Sequence, residues 1–92
     1  MKMKKVLMDG TIPKLGMIVV IVESSYGNPV GSITKIIEKN LDDEDPYVKC
    51  HWKFHYPETL NESIHCIRRA TPQERKEWTA YWRSNAWIIS TI

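Results

Sequence analysis

From Leu15 to Ile37 the apolar positions fall into two runs around a polar turn. Met17-Ile18-Val19-Val20-Ile21-Val22 is uninterrupted, Ser24-Ser25-Tyr26-Gly27-Asn28-Pro29 is polar, and Val30-Gly31-Ser32-Ile33-Thr34-Lys35-Ile36-Ile37 resumes the apolar character. β-branched residues fill both runs, a pattern that predicts strand, turn, strand. The first strand, about Met17 to Glu23, shows no polar alternation and is expected to be covered on both faces. The second, from about Val30 to Lys39, is long enough to bend and serve two sheets. Its interior Gly31 is expected to let backbones approach closely.

The cleanest alternation follows an acidic loop, Asn40 to Pro46. In Tyr47 to His55, successive side chains of a strand point to opposite faces. Val48, Cys50, Trp52 and Phe54 are therefore predicted to be core, and Lys49, His51, Lys53 and His55 to face solvent. Tyr56 to Glu62 is read as a loop and Ser63 to Arg68 as a fourth strand. A short edge strand at Lys5 to Met8, ended by Asp9-Gly10, is expected near the start. Trp87-Ile88-Ile89 reads as a terminal strand or an extended tail.

One helix is announced by local chemistry. Thr71 can cap it, Pro72 suits its first position, and Glu74 completes a capping box. Trp78, Tyr81 and Trp82 then recur at helical spacing on one face. The helix is predicted to fade near Ser84 or Asn85. The chain thus reads as mainly β, one domain over 1–92: an N-terminal segment (1–14), a β unit (15–70), the helix (71–85) and the terminal strand or tail (86–92). Ninety-two residues cannot fill two cores, and 42% hydrophobic content suffices for one.

Charge changes the picture only when it is mapped. The net charge is +2, from 13 Lys and Arg against 11 Asp and Glu. Met1 to Lys5 is basic, Glu38 to Asp45 is acidic, and Lys49 to Lys76 is basic again. A strong duplex binder usually carries a more lopsided total. Two cysteines, Cys50 and Cys66, make no secreted disulfide framework. Val6-Leu7-Met8 is too short for a signal core, and no run approaches the length of a membrane span. A cytoplasmic protein without membrane contact is expected.

Few residue clusters carry chemistry. Cys50-His51 and His65-Cys66 offer zinc-type ligands, but neighbours on a strand face opposite ways and C-x-x-C spacing is absent. Cys50 shares its face with apolar side chains, which argues for an inert thiol rather than a nucleophile. Asp42-Asp43-Glu44-Asp45 lacks the alternating ligands and central glycine of an EF-hand loop. No catalytic, metal or cofactor site is predicted. Lys49, His51, Lys53 and His55, joined by Arg68 and Arg69, form the candidate nucleic-acid surface, with lysines for phosphates. The competing reading is a plain solvated sheet face. Asp42, Asp43, Glu44 and Asp45, with Trp87 as a spare aromatic, form the candidate protein-binding surface.

Gly16 to Ile37, an apolar strand with a leading Gly followed by a Gly at the head of the next strand, resembles the KOW segment of small SH3-like barrels. The order of strands ending in Arg68-Arg69-Ala70-Thr71-Pro72-Gln73-Glu74 is similar to small SH3-like proteins of tailed phages. The resemblance implies a five-stranded SH3-like barrel with a short C-terminal helix and no enzymatic activity. It implies a regulatory role in the host cytoplasm, binding and inhibiting or redirecting a host macromolecule during takeover or counter-defence. A host protein is the first expected partner; the alternative is nucleic acid bound by the basic strand face.

Overall fold

The first two strands of this chain each follow a glycine that takes a left-handed backbone. The computed structural model describes residues 5–23, 27–42, 44–52 and 59–84. Gly16 (φ +86) precedes β1, Ile18–Ile21, and Gly31 (φ +88) precedes β2, Ile33–Asn40. A Cβ at Gly31 would meet nothing within 4 Å. The glycine therefore serves the turn and not a close approach of backbones, which corrects the expectation drawn from its place in the sequence.

β2 continues to β3, Tyr47–Trp52, and β4, Thr59–Ser63. A 3-10 turn, Ile64–Cys66, then leads to β5, Ile67–Arg69. These strands form one antiparallel sheet in the order β4-β3-β2-β1-β5. Four strands meander, and β5 returns to the free side of β1 with Val19 opposite Arg69 and Ile21 opposite Ile67.

The expected single strand at Ser63 to Arg68 is thus two strands with a bend between them, and the expected loop at Tyr56 to Glu62 contributes Thr59 to Glu62 to β4. The bend has a topological cause: the chain must leave one edge of the sheet and reach the other. Ser63 supports it by accepting a hydrogen bond from the His65 N–H at 3.4 Å.

β2 bends at a bulge. Ile36 lies opposite Cys50, yet Glu38 lies opposite Lys49, so Ile37 is an extra residue on the β2 side. Before the bulge, Thr34 and Ile36 are fully buried. After it, Glu38 is exposed and Leu41 packs against the core. The inward-facing parity of the strand has switched.

The core gathers Val19, Ile21, Ile36, Val48, Cys50, Leu60, Ile64 and Ile67, all buried, together with Leu7. Each large side chain removed from water in this way contributes about 1.5–3 kcal/mol. Val20, on the opposite side of β1, is only 4% exposed, so β1 is covered on both faces as its composition predicts. The expected edge strand at Lys5 to Met8 does not form. Leu7 instead plugs the core from a turn, its N–H donating to Thr11 O at 2.8 Å while the Met8 N–H donates to Ile67 O at 3.0 Å.

α1, Pro72–Ser84, starts where local chemistry places it. The Thr71 N–H donates to Glu74 Oε1 at 2.8 Å, and the Glu74 N–H donates to Thr71 Oγ1 at 3.2 Å. This is a reciprocal capping box. Trp78 is buried, Tyr81 and Trp82 are half-buried, and Trp82 lies 5.5 Å from each of the other two rings. Phe54 and Trp87-Ile88-Ile89 lie outside the described residues.

Candidate interaction surfaces

The outer face of β2, β3 and β4 is built in rows by strand register. Lys35, His51 and Thr59 stand in one row, and Glu38, Lys49 and Asn61 in the next. Asn40 and Tyr47 follow, with Asn40 Nδ2 donating to the Tyr47 hydroxyl at 3.3 Å. Glu38, Lys39, Asn40, Tyr47, Lys49 and Asn61 line an open polar cleft of about 230 Å³.

The alternation that puts Val48 and Cys50 inside thus puts Lys49 and His51 outside. Lys53 and His55 lie outside the described residues. Lys49 is not a bare cation: its Nζ stands 3.6 Å from Glu38. The bulge in β2 made that neighbour. Lys35, which sequence reading passed over, is the exposed cation beside His51.

Arg68 is paired within the protein. Its guanidinium grips Glu74 through two hydrogen bonds, 2.7 and 2.9 Å long. Chiefly through these bonds, and against some desolvation, Glu74 is held down from the usual 4.5 to about 2. Arg69 is exposed, and its backbone N–H donates to Asp9 Oδ2 at 3.0 Å. Burial pushes the Asp9 carboxyl up, but the hydrogen bonds from Thr11 and Arg69 outweigh it and leave the carboxyl below its ordinary range.

The acidic loop joins β2 to β3. Asp42, Glu44 and Asp45 are exposed, and Asp42 has Lys5 Nζ 3.9 Å away. Asp43 and Trp87 lie outside the described residues. Pro46, at the end of the loop, is buried, and its carbonyl accepts the Ile64 N–H at 3.2 Å. The carboxylates are therefore carried on a loop anchored at its base.

Cys50 is fully buried, and burial raises its thiol to about 11, with the nearby Glu62 charge adding to the rise and the Thr34 hydroxyl opposing it. A thiol held protonated at neutral pH is a poor nucleophile and a poor metal ligand. Cys66 is half-buried in the 3-10 turn, and both cysteines are free. Among the described residues no three His, Cys, Asp or Glu side chains are grouped to hold a metal ion.

Sequence reading missed Glu62. It is fully buried on the core side of β4, with Asn28 Nδ2 donating to Oε2 at 3.0 Å and the Ser63 N–H to Oε1 at 3.1 Å. Asn28 also reaches Asn61 O at 2.7 Å, so this carboxylate ties the β1–β2 turn to β4. The alternation of Leu60 and Glu62 was the available signal, but a carboxylate at a core position reads as a loop.

No family model, no curated protein and no solved structure matches the chain. No helix among the described residues is long and apolar enough to cross a membrane.

Proposed function

We propose that the protein is a non-enzymatic binding module with an SH3-like barrel architecture. It engages a host protein through the β2–β3 acidic loop and thereby inhibits or redirects it. The return of β5 to β1 after a 3-10 turn, and the bulged bend in β2, support the barrel reading. The protonated Cys50 thiol supports binding rather than turnover.

The observation that carries the partner assignment is where the charges are used internally. Lys49 is beside Glu38, and Arg68 is paired with Glu74, so each of these two cations of the candidate nucleic-acid surface already has a carboxylate neighbour. Asp42, Glu44 and Asp45 stand exposed on their loop, with Lys5 Nζ 3.9 Å from Asp42. An exposed acidic loop steers and orients a basic partner surface. The other reading, nucleic acid held by the outer face of β3, retains Lys35, His51 and Tyr47 as contact groups.

The test is affinity capture from a nuclease-treated bacterial lysate, with the wild type beside the Asp42→Asn, Glu44→Gln, Asp45→Asn triple variant. The expected result is a discrete protein retained by the wild type and lost from the variant. Equal capture by both, or capture that vanishes with nuclease, overturns the assignment.

A further inference from the structure

A second charged surface lies on the exposed side of α1, where Pro72, Arg75, Lys76, Thr79, Ala80 and Arg83 line an open groove of about 480 Å³. At about 100° per residue, these six positions occupy an arc of about 140°, and the buried Trp78 lies outside it. The carboxylates are kept off this arc. Glu74 is committed to Arg68, and Glu77 stands about 100° round the helix from Lys76. Lys76 and Arg83 are exposed, and neither makes an ion pair with a described residue. Arg75 is steadied by one hydrogen bond from its Nη1 to Ala70 O at 2.8 Å, which leaves its other donors available.

We propose that this face of α1 docks in the major groove of duplex DNA, with Arg75, Lys76 and Arg83 pairing with phosphates. The inference goes beyond the protein-binding reading and concerns a different surface. The floor of the groove is small: Ala80 contributes a methyl group, and Thr79 turns its hydroxyl back to Arg75 O at 3.0 Å. Arg75 and Arg83 are eight positions apart, about 12 Å along the axis. The major groove of B-DNA is about 12 Å wide and admits an α-helix lying along it; Arg75 and Lys76, about 100° apart around the helix on either side of Thr79, face its two walls, and Arg83 extends the contact along the groove.

The A-form major groove is too narrow for side chains to read, and a single strand calls for stacking aromatics, which the six groove residues lack. At the start of α1 the Thr71 and Glu74 N–H groups are each engaged by the other residue's side chain, and the cationic side chains carry the grip. Binding of this kind is largely independent of sequence.

Fluorescence anisotropy with a labelled random-sequence duplex, read at 50 and 200 mM salt, tests the assignment. Three phosphate contacts give a log–log salt slope of about −2.7, so affinity should fall about forty-fold between the two conditions. Lys76→Gln with Arg83→Gln should weaken binding at least ten-fold at 50 mM salt and reduce the salt effect to about three-fold. Lys35→Gln with Lys49→Gln, on the sheet, should change affinity less than two-fold. If circular dichroism shows that the glutamine variant has lost helix, Lys76→Ala with Arg83→Ala carries the same expectation.

Absence of wild-type binding at 50 mM salt overturns the proposal, as does an equal loss in the sheet variant. Duplex RNA bound as tightly as DNA overturns the major-groove seating. Displacement of the duplex by poly-glutamate as effectively as by unlabelled DNA assigns the groove to an acidic protein segment instead.

Discussion

Arg68 and Glu74 meet through two parallel hydrogen bonds of 2.7 and 2.9 Å, which join the last strand of the sheet to the first turn of the helix. The same carboxylate accepts the Thr71 N–H. One side chain thus closes a capping box and an ion pair, and it sets the angle at which α1 leaves β5. Glu74 is 22% exposed and Arg68 34%, and at that exposure solvent screening brings the pair to about 1–2 kcal/mol.

Glu74→Gln separates the two roles, because glutamine can still accept from Thr71 but cannot pair with a cation. The folded-state value near 2 lies below the usual 4.5. The contribution is therefore present above about pH 4.5 and lost as pH falls through 2. At pH 7 the variant should be about 1–2 kcal/mol less stable by urea denaturation, and the two proteins should converge near pH 2. Parallel profiles across that range would show that the pair adds no stability.

Glu62 and Asn28 make a second tie, this time buried. Glu62→Ala should cost about 2–4 kcal/mol, since it removes a buried acceptor from two donors and leaves a void. Asn28→Ala should cost less. In a double-mutant cycle the pair should show a coupling above about 0.5 kcal/mol. Strict additivity of the two urea midpoints would mean that the Asn28 amide holds the turn through Asn61 alone.

Gly31→Ala isolates backbone strain, because φ is +88 and a Cβ would touch nothing. The expected loss is about 1–2 kcal/mol. d-Alanine at position 31, placed by chemical synthesis, favours the same φ and should leave the protein at least as stable as the wild type. Equal melting temperatures for the l- and d-alanine proteins would refute the left-handed turn.

The two thiols should differ in reactivity. Cys66 is half-buried, whereas Cys50 is buried with its thiol raised to about 11. At pH 8 a disulfide reagent should label one thiol, Cys66, in the native protein, and Cys50 at the rate of opening. Peptide mapping that finds Cys50 labelled as fast as Cys66 would contradict its placement.

Features set by neighbours in sequence were legible from sequence. The capping box at Thr71 and Glu74 needs only four consecutive residues and a helix to follow. The two faces of β3 were readable because one side of that strand is apolar and the other charged. Among the candidate surface residues, sequence separated Lys49 and His51 from the core. It could not report that Glu38 sits beside Lys49, or that Arg68 is bound to Glu74.

The sequence by itself determined the strand-rich class, the helix start and the outward face of β3, because propensity, capping and period-two alternation act over a few residues. Only the tertiary structure decided the rest. The Ile37 bulge moves Glu38 off the core face and brings Leu41 onto it, and a bulge exists only relative to a partner strand. Glu62 is accepted into the interior because Asn28, 34 residues away in sequence, supplies a donor there. Leu7 belongs to the core without belonging to a strand, because Thr11 and Ile67 satisfy the backbone around it. In each case the deciding free energy comes from a group distant in sequence, so no local pattern carries it.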